Sequence, residues 1–159
     1  MEKREVNIDY FVCRNSFPEG YESLCRAAIE ASRKAYCVYS GFAVGAALLL
    51  DDGTVITGSN QENAAYPSGM CAERTALFHA GAQHPGRSVK ALAIAACRDG
   101  IPREEPVAPC GACRQVMAET IKRHRRDFDL ILIGNRESLL VKASALLPFT
   151  FPLPDTKNA

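Results

Sequence analysis

Phe42-Ala43-Val44-Gly45-Ala46-Ala47-Leu48-Leu49-Leu50 is an unbroken apolar run, closed by Asp51-Asp52-Gly53 and followed by Thr54 to Ser59. The run has the length of a strand and falls far short of the ~20 residues that a membrane span needs. Asp-Gly supplies the positive φ of a hairpin turn, so the stretch reads as strand, tight turn, strand. A first strand that is apolar at every position has both faces covered, which places it inside a layered sheet.

Working outward, Tyr21, Leu24, Cys25, Ala28, Ile29, Ala35 and Tyr36 recur at helical spacing between Glu19 and Cys37, with Glu22, Arg26, Glu30 and Arg33 on the other side. That pattern predicts an amphipathic helix. Met70 to Gly81 is a second helix, rich in Ala, Glu, Arg and Leu, with Gly81 as its stop. Val89 to Cys97 is a second buried strand. Pro102, Pro106 and Pro109 make residues 98–109 a loop, and Pro109 suits the start of a helix that runs to about His124. Phe128 to Gly134 and Ser138 to Lys142 close with two more strands. Helices alternating with strands imply an α/β domain with helices on both faces of a sheet. In residues 1–18 the alternation of Val6, Ile8, Tyr10 and Val12 is that of a half-buried strand, and no function is assigned to this extension. No repeat, linker or low-complexity segment divides the chain, so residues 1–159 are read as one domain.

The chain has 159 residues, enough to bury roughly 70% of its surface on folding. With 47% hydrophobic and 23% charged residues it is neither disordered, collagen-like nor a coiled coil. The 19 basic and 18 acidic residues leave a net charge of +1, without the basic excess that gripping nucleic acid or an anionic membrane requires. The one basic cluster, Lys122 to Arg126, falls at a predicted helix C-terminus, where cations are favoured anyway. Nothing near Met1 reads as a signal peptide and no apolar stretch reads as a membrane span, so the expected location is the cytoplasm.

The seven cysteines are an odd count, which points to thiol or metal chemistry rather than complete pairing. Cys13, Cys25, Cys37 and Cys97 have no partner motif and read as small buried apolar residues. His79, His84 and His124 are scattered and read as structural. Cys110 and Cys113, in Pro109-Cys110-Gly111-Ala112-Cys113, lie three apart at a helix start and share a face. On spacing alone such a pair is equally a zinc site or a redox dithiol. Cys71, in Cys71-Ala72-Glu73, adds a third thiol at another helix start. Two helix N-termini favour thiolate, and three protein ligands leave the fourth position of zinc open for water, as catalytic sites do. Glu73, about 200° round the helix from Cys71, is poorly placed to bind the same metal but suited to exchange protons with that water.

Cys71-Ala72-Glu73 with Pro109-Cys110-Gly111-Ala112-Cys113 resembles the zinc signature of the cytidine deaminases, in their small homotetrameric form with three cysteine ligands. Tyr39 to Ala47, Asn60-Gln61-Glu62-Asn63-Ala64, Tyr66-Pro67 and Cys71 to Ala76 extend the resemblance, which runs from about residue 20 to 155. It implies a three-layer α/β/α sandwich around a mixed sheet of about five strands. It also implies a Zn²⁺ cofactor on Cys71, Cys110 and Cys113, with Glu73 as the catalytic acid and base. By the same resemblance Asn60 and Glu62 hold the ribose 3′-hydroxyl, Phe42 lies along the sugar and base, and the backbone around Ala72 and Ala108 hydrogen-bonds the base. Tyr66 is a candidate sugar contact. Arg74 would hydrogen-bond the ligand sulfurs and offset the −1 charge of Zn²⁺ with three thiolates, although a surface helix charge is its plainer reading. In Leu146-Leu147-Pro148-Phe149-Thr150-Phe151 the family's reaching aromatic matches Phe151, with Phe149 the alternative because Phe149-Thr150 replaces the usual Gly-Ala.

The implied activity is zinc-dependent hydrolysis of cytidine and 2′-deoxycytidine to uridine and deoxyuridine with release of ammonia. It would be a step of pyrimidine salvage in a homotetramer with shared sites, acting on a free nucleoside and neither on nucleic acid nor at a membrane. The rivals are a deaminase of another cytosine-containing small molecule, a thiol redox protein using Cys110 and Cys113, and a non-catalytic zinc module.

Overall fold

In the computed structural model, residues 1–151 are described. The expected hairpin is its centre: β2 (Ala43–Leu50) turns through Gly53, at φ +88°, into β3 (Val55–Ser59). β2 also pairs antiparallel with β4 (Val89–Arg98), so it is covered on both edges as well as both faces. β4 runs parallel to β6 (Asp129–Ile133), and the crossover between them carries α3 (Gly111–His124), as a parallel pair requires. β6 then pairs antiparallel with β7 (Glu137–Lys142).

Two strands join these five. β1 (Tyr10–Arg14) adds to β7 at the edge, giving the order β1-β7-β6-β4-β2-β3, and β5 (Ile101–Pro102) folds back on β4. The mixed sheet therefore has seven strands rather than about five. β5 exists because Asp99 and Gly100 both take positive φ, 52° and 76°, which is a hairpin turn of the kind read at Gly53. β1 lies four residues further along than the alternation of Val6 to Val12 suggests, and it is not half-buried. Tyr10, Phe11 and Val12 are exposed.

The layers follow from period-two alternation. Leu48 and Leu50 of β2, Leu92 and Ile94 of β4, and Leu130 and Leu132 of β6 face α2 (Ala72–Gln83) and α3. Ala47, Ala91, Ala93, Ala95, Ile131 and Ile133 face α1 (Glu22–Ser32) on the other side. This is the expected α/β/α sandwich. α1 is shorter than Glu19 to Cys37, because Tyr36 leaves it to donate its N–H to the Asn60 carbonyl at 3.0 Å. α2 passes through Gly81 without stopping, and α3 begins after Cys110 rather than at Pro109. Cys25 and Cys97 are buried as expected, whereas Cys13 and Cys37 are only half-buried.

Two glycines set how closely the helices approach. A Cβ on Gly45 would overlap the α1 backbone at Ala28 and Ser32. On Gly58 it would stand 2.5 Å from the Ala72 carbonyl oxygen and 2.7 Å from the Ala76 nitrogen, in the first turn of α2. Gly58→Ala is therefore expected to lower stability by about 1–3 kcal/mol through overpacking, and to weaken metal binding because Cys71 rides on that turn. Denaturant unfolding with zinc titration checks both, and an unchanged midpoint would contradict the close seating of α2.

Candidate active site

Cys71 and Cys110 occupy the N-cap positions of α2 and α3, with backbone ψ of 152° and 166°. Neither side chain caps its own helix, so both sulfurs are free to point elsewhere. They point at each other: Cys71 Sγ lies 3.8 Å from Cys110 Sγ, Cys110 Sγ lies 3.4 Å from Cys113 Sγ, and the three sulfurs lie within 4.8 Å of one another. A tetrahedral site with Zn–S bonds of about 2.3 Å has S···S edges of about 3.8 Å, so the triad fits Zn²⁺ with little adjustment. All seven cysteines are free thiols. The third sulfur separates this arrangement from a simple dithiol.

The electrostatics suit a thiolate cluster. A hydrogen bond from Cys113, then Arg74, lowers Cys71 to about 5 against the opposing cost of burial. Cys113, donor in that pair and fully buried, is pushed up correspondingly. The Arg74 Nη2 donates to Cys71 Sγ at 3.3 Å, which raises Arg74 in turn and anchors the guanidinium against the sulfur. Its Nε is buried and has no partner among the described residues, leaving a spare donor next to an electron-rich centre. Arg74 is thus not a surface helix charge.

Glu73 is the second residue of α2 and only 5% exposed. Burial, with the Cys71 charge adding, pushes its carboxyl above the ordinary carboxylate range. A carboxyl so shifted is closer to the balance between proton acceptor and donor at neutral pH than a wetted one.

A cleft of about 970 Å³ opens above the sulfurs, and Phe42, Asn60, Glu62, Tyr66, Ala72, Glu73, Arg74 and Ala108 all line it, with Cys71 and Cys110. Asn60 is pinned by the sheet: its Oδ1 accepts from the Val44 N–H and its Nδ2 donates to the Phe42 carbonyl, both at 2.8 Å. It replaces a missing rung beyond the end of β3. One N–H of its amide is left over. The Glu62 carboxylate accepts from the Ser40 hydroxyl and from the N–H groups of Tyr39 at 2.9 Å and Ser40 at 3.3 Å, which hold it below its usual range. Tyr66 is 92% exposed. Phe151 does not line this cleft and is 71% exposed, with Phe149 at 83%.

Two residues escaped the sequence reading. Arg114 donates from Nε to the Pro109 carbonyl at 2.8 Å and from Nη1 to the Leu146 carbonyl at 3.1 Å, tying the ligand loop to the C-terminal turn. Gln115 Nε2 donates to the Phe151 carbonyl at 3.3 Å. Their place next to Cys113 was the available signal.

Fold and sulfur site together define a zinc-binding deaminase architecture, and the comparisons agree. The model of the cytidine and deoxycytidylate deaminase zinc-binding region matches residues 18–125. The chain is 46% identical over 137 residues to a cytidine deaminase of Halalkalibacterium halodurans, covering 86% of this chain and 98% of that one. It is 44% identical over 138 residues to a cytidine deaminase of Sporosarcina psychrophila, covering 87% and 96%. The crystal structure of the Burkholderia pseudomallei cytidine deaminase superposes with a TM-score of 0.69 at 41% identity, over 81% of this chain and 97% of that one. The Mycobacterium tuberculosis cytidine deaminase superposes at 0.67 and 33%, over 86% and 100%.

The chain belongs to the cytidine and deoxycytidylate deaminase family. Its cofactor is Zn²⁺, and Cys71, Cys110 and Cys113 form a cluster able to hold such an ion.

Proposed function

We propose that this protein hydrolyses cytidine and 2′-deoxycytidine to uridine and 2′-deoxyuridine, releasing ammonia. The observation that carries this is the meeting of three sulfurs beside the buried Glu73, with Cys71, Cys110 and Glu73 lining a cleft that has room for a nucleoside. Cys71, Cys110 and Cys113 would hold Zn²⁺, which would supply the Lewis acidity that makes water a nucleophile near neutral pH. Glu73 would take one proton from the attacking water and deliver it to N3 of the base, then take the second water-derived proton from the hydroxyl on C4 and deliver it to the amino group, which leaves as ammonia while C4 becomes the carbonyl. Burial of the Glu73 carboxyl keeps those protons from leaking to solvent. The spare N–H of Asn60 and the carboxylate of Glu62 hold the ribose 3′-hydroxyl as donor and acceptor, Phe42 lies along sugar and base, and the backbone at Ala72 and Ala108 orients the pyrimidine. Arg74 offsets the net negative charge of the metal centre.

The test is the fall in cytidine ultraviolet absorbance over time, run beside elemental analysis for zinc. One zinc per chain without turnover would defeat the reading. For Arg74→Gln the expected result is a slower enzyme that retains zinc and whose acidic limb moves to higher pH, because loss of the cation disfavours every deprotonated form at the centre. An unmoved pH profile would remove Arg74 from this role.

The active form is read as a homotetramer with shared sites, built from one domain per chain. The exposure of Tyr66 and Phe151 supports this, since aromatic rings gain most by burial in a partner. Phe151 of one subunit would then cover the base held by another. Glu73→Ala and Phe151→Ala chains, refolded together, are expected to show more activity than the sum of each alone, because some sites then combine an intact Glu73 with an intact Phe151. Strict additivity in verified mixed oligomers would refute sharing. Net charge near zero and free thiols support a cytoplasmic role in pyrimidine salvage. Among the described residues no helix is long and apolar enough to cross a membrane.

A further inference from the structure

Phe42 is the last residue before β2, and its backbone is held on both sides. Its N–H donates to Ser40 Oγ at 3.0 Å and its carbonyl accepts from Asn60 Nδ2 at 2.8 Å. Those bonds place the Cα but leave the ring, which is only half-buried, free to choose its rotamer. The ring meets one further group: the guanidinium carbon of Arg103 lies 5.6 Å from its centroid, within cation–π range.

Arg103 is well anchored for this. It directly follows β5, and the Asp99-Gly100 turn returns the chain so that the Arg103 N–H donates to the Ala96 carbonyl at 2.8 Å. Its own carbonyl accepts from the Asn135 N–H at 2.8 Å. Among the described residues no carboxylate lies within ion-pair distance of Arg103, whereas its neighbours Glu104 and Glu105 both face Arg136, at 3.3 and 3.8 Å. The guanidinium itself does not line the cleft, although the ring it contacts does. Cation, ring and cleft are therefore in series.

We propose that Arg103 is a positioning residue for substrate binding: stacked on Phe42, it fixes the ring in the rotamer that presents its free face to the sugar and base of the nucleoside. This rests on the reading of the cleft as a cytidine site. Because the ring contacts ground state and transition state alike, the clamp acts on binding rather than on the chemical step. At an exposed site an interaction of this kind biases the ring by about two- to fivefold.

The experiment is a double-mutant cycle on the full-length zinc-loaded chain. Arg103→Gln is expected to raise KM for cytidine about threefold with kcat within twofold of wild type and an unchanged melting temperature. Arg103→Lys, still cationic, should recover part of the loss, and in a Phe42→Leu background Arg103→Gln should add nothing. Full additivity in the double variant, or an effect on kcat alone, would overturn the proposal. A second readout needs no turnover: in an arginine side-chain ¹⁵N–¹H spectrum the Arg103 Nε–H should be displaced by the ring current of Phe42 and return to the ordinary position in Phe42→Leu. No displacement would overturn the contact. A displaced signal in a wild-type protein inert toward cytidine would instead defeat the functional reading on which the clamp depends.

Discussion

Glu73→Gln should bind a full equivalent of zinc, melt at or slightly above the wild-type temperature, and turn cytidine over at least 10³-fold more slowly. The two side chains are nearly isosteric, so the packing of α2 against the sheet is kept. Removing a buried carboxyl also removes the cost of burying it, the same cost that raises its pKa. An amide can neither accept nor deliver the proton. A general acid or base contributes about 10² to 10⁴ in rate, and a residue that serves successive transfers belongs at the upper end. Steady-state absorbance assays beside elemental analysis and thermal melting separate chemistry from folding. Turnover within tenfold of wild type would show that the proton moves by another route.

Cys113→Ala is expected to lose both zinc and activity. Cys113 is fully buried at the third position of α3, so alanine removes one sulfur from a packed place and offers the metal no substitute. Two remaining thiolates, one of them exposed, do not make a tight Zn²⁺ site. Because a metal bound only by the folded state stabilises it by mass action, a chelator should lower the melting temperature of the wild type and leave that of Cys113→Ala unchanged. Zinc retained at one equivalent in the variant would remove Cys113 from the ligand set.

The parts of the molecule legible in the sequence are those whose signal is local. The run from Phe42 to Leu50 and the alternation of β4 and β6 depend on burial alone, and burial is written in residue type. The Cys-x-x-Cys pair and Cys71-Ala72-Glu73 were legible because a helix start converts spacing into direction. Legibility fails where two local signals compete. Asp99-Gly100 is as good a turn as Asp52-Gly53, yet Pro102, Pro106 and Pro109 weighed toward a loop, although Pro102 is tolerated in so short a strand. Gly81 reads as a stop by propensity, but the packing of Leu77 and Ala80 carries α2 past it. The alternation of Val6 to Val12 suggested a buried face, and no face of β1 is buried in the chain. Arg114 and Gln115 were legible only as neighbours of Cys113, whereas their bonds to Leu146 and Phe151 join residues far apart in sequence, as does the meeting of Arg103 with Phe42, and no period or spacing encodes such meetings.

Asn60 completes the hydrogen bonding of β2 with the same amide that is read as touching the sugar. Substitutions at this position are therefore ambiguous reporters. Aspartate keeps the shape but sets an acceptor against the Phe42 carbonyl, so part of any lost affinity records a frayed strand rather than a missing ligand contact. Alanine leaves the Val44 N–H and the Phe42 carbonyl together without their partner. Comparisons among relatives or designed variants at Asn60 measure sheet integrity and recognition as one number, and only a structural probe of the strand, such as exchange of the Val44 amide, can divide it.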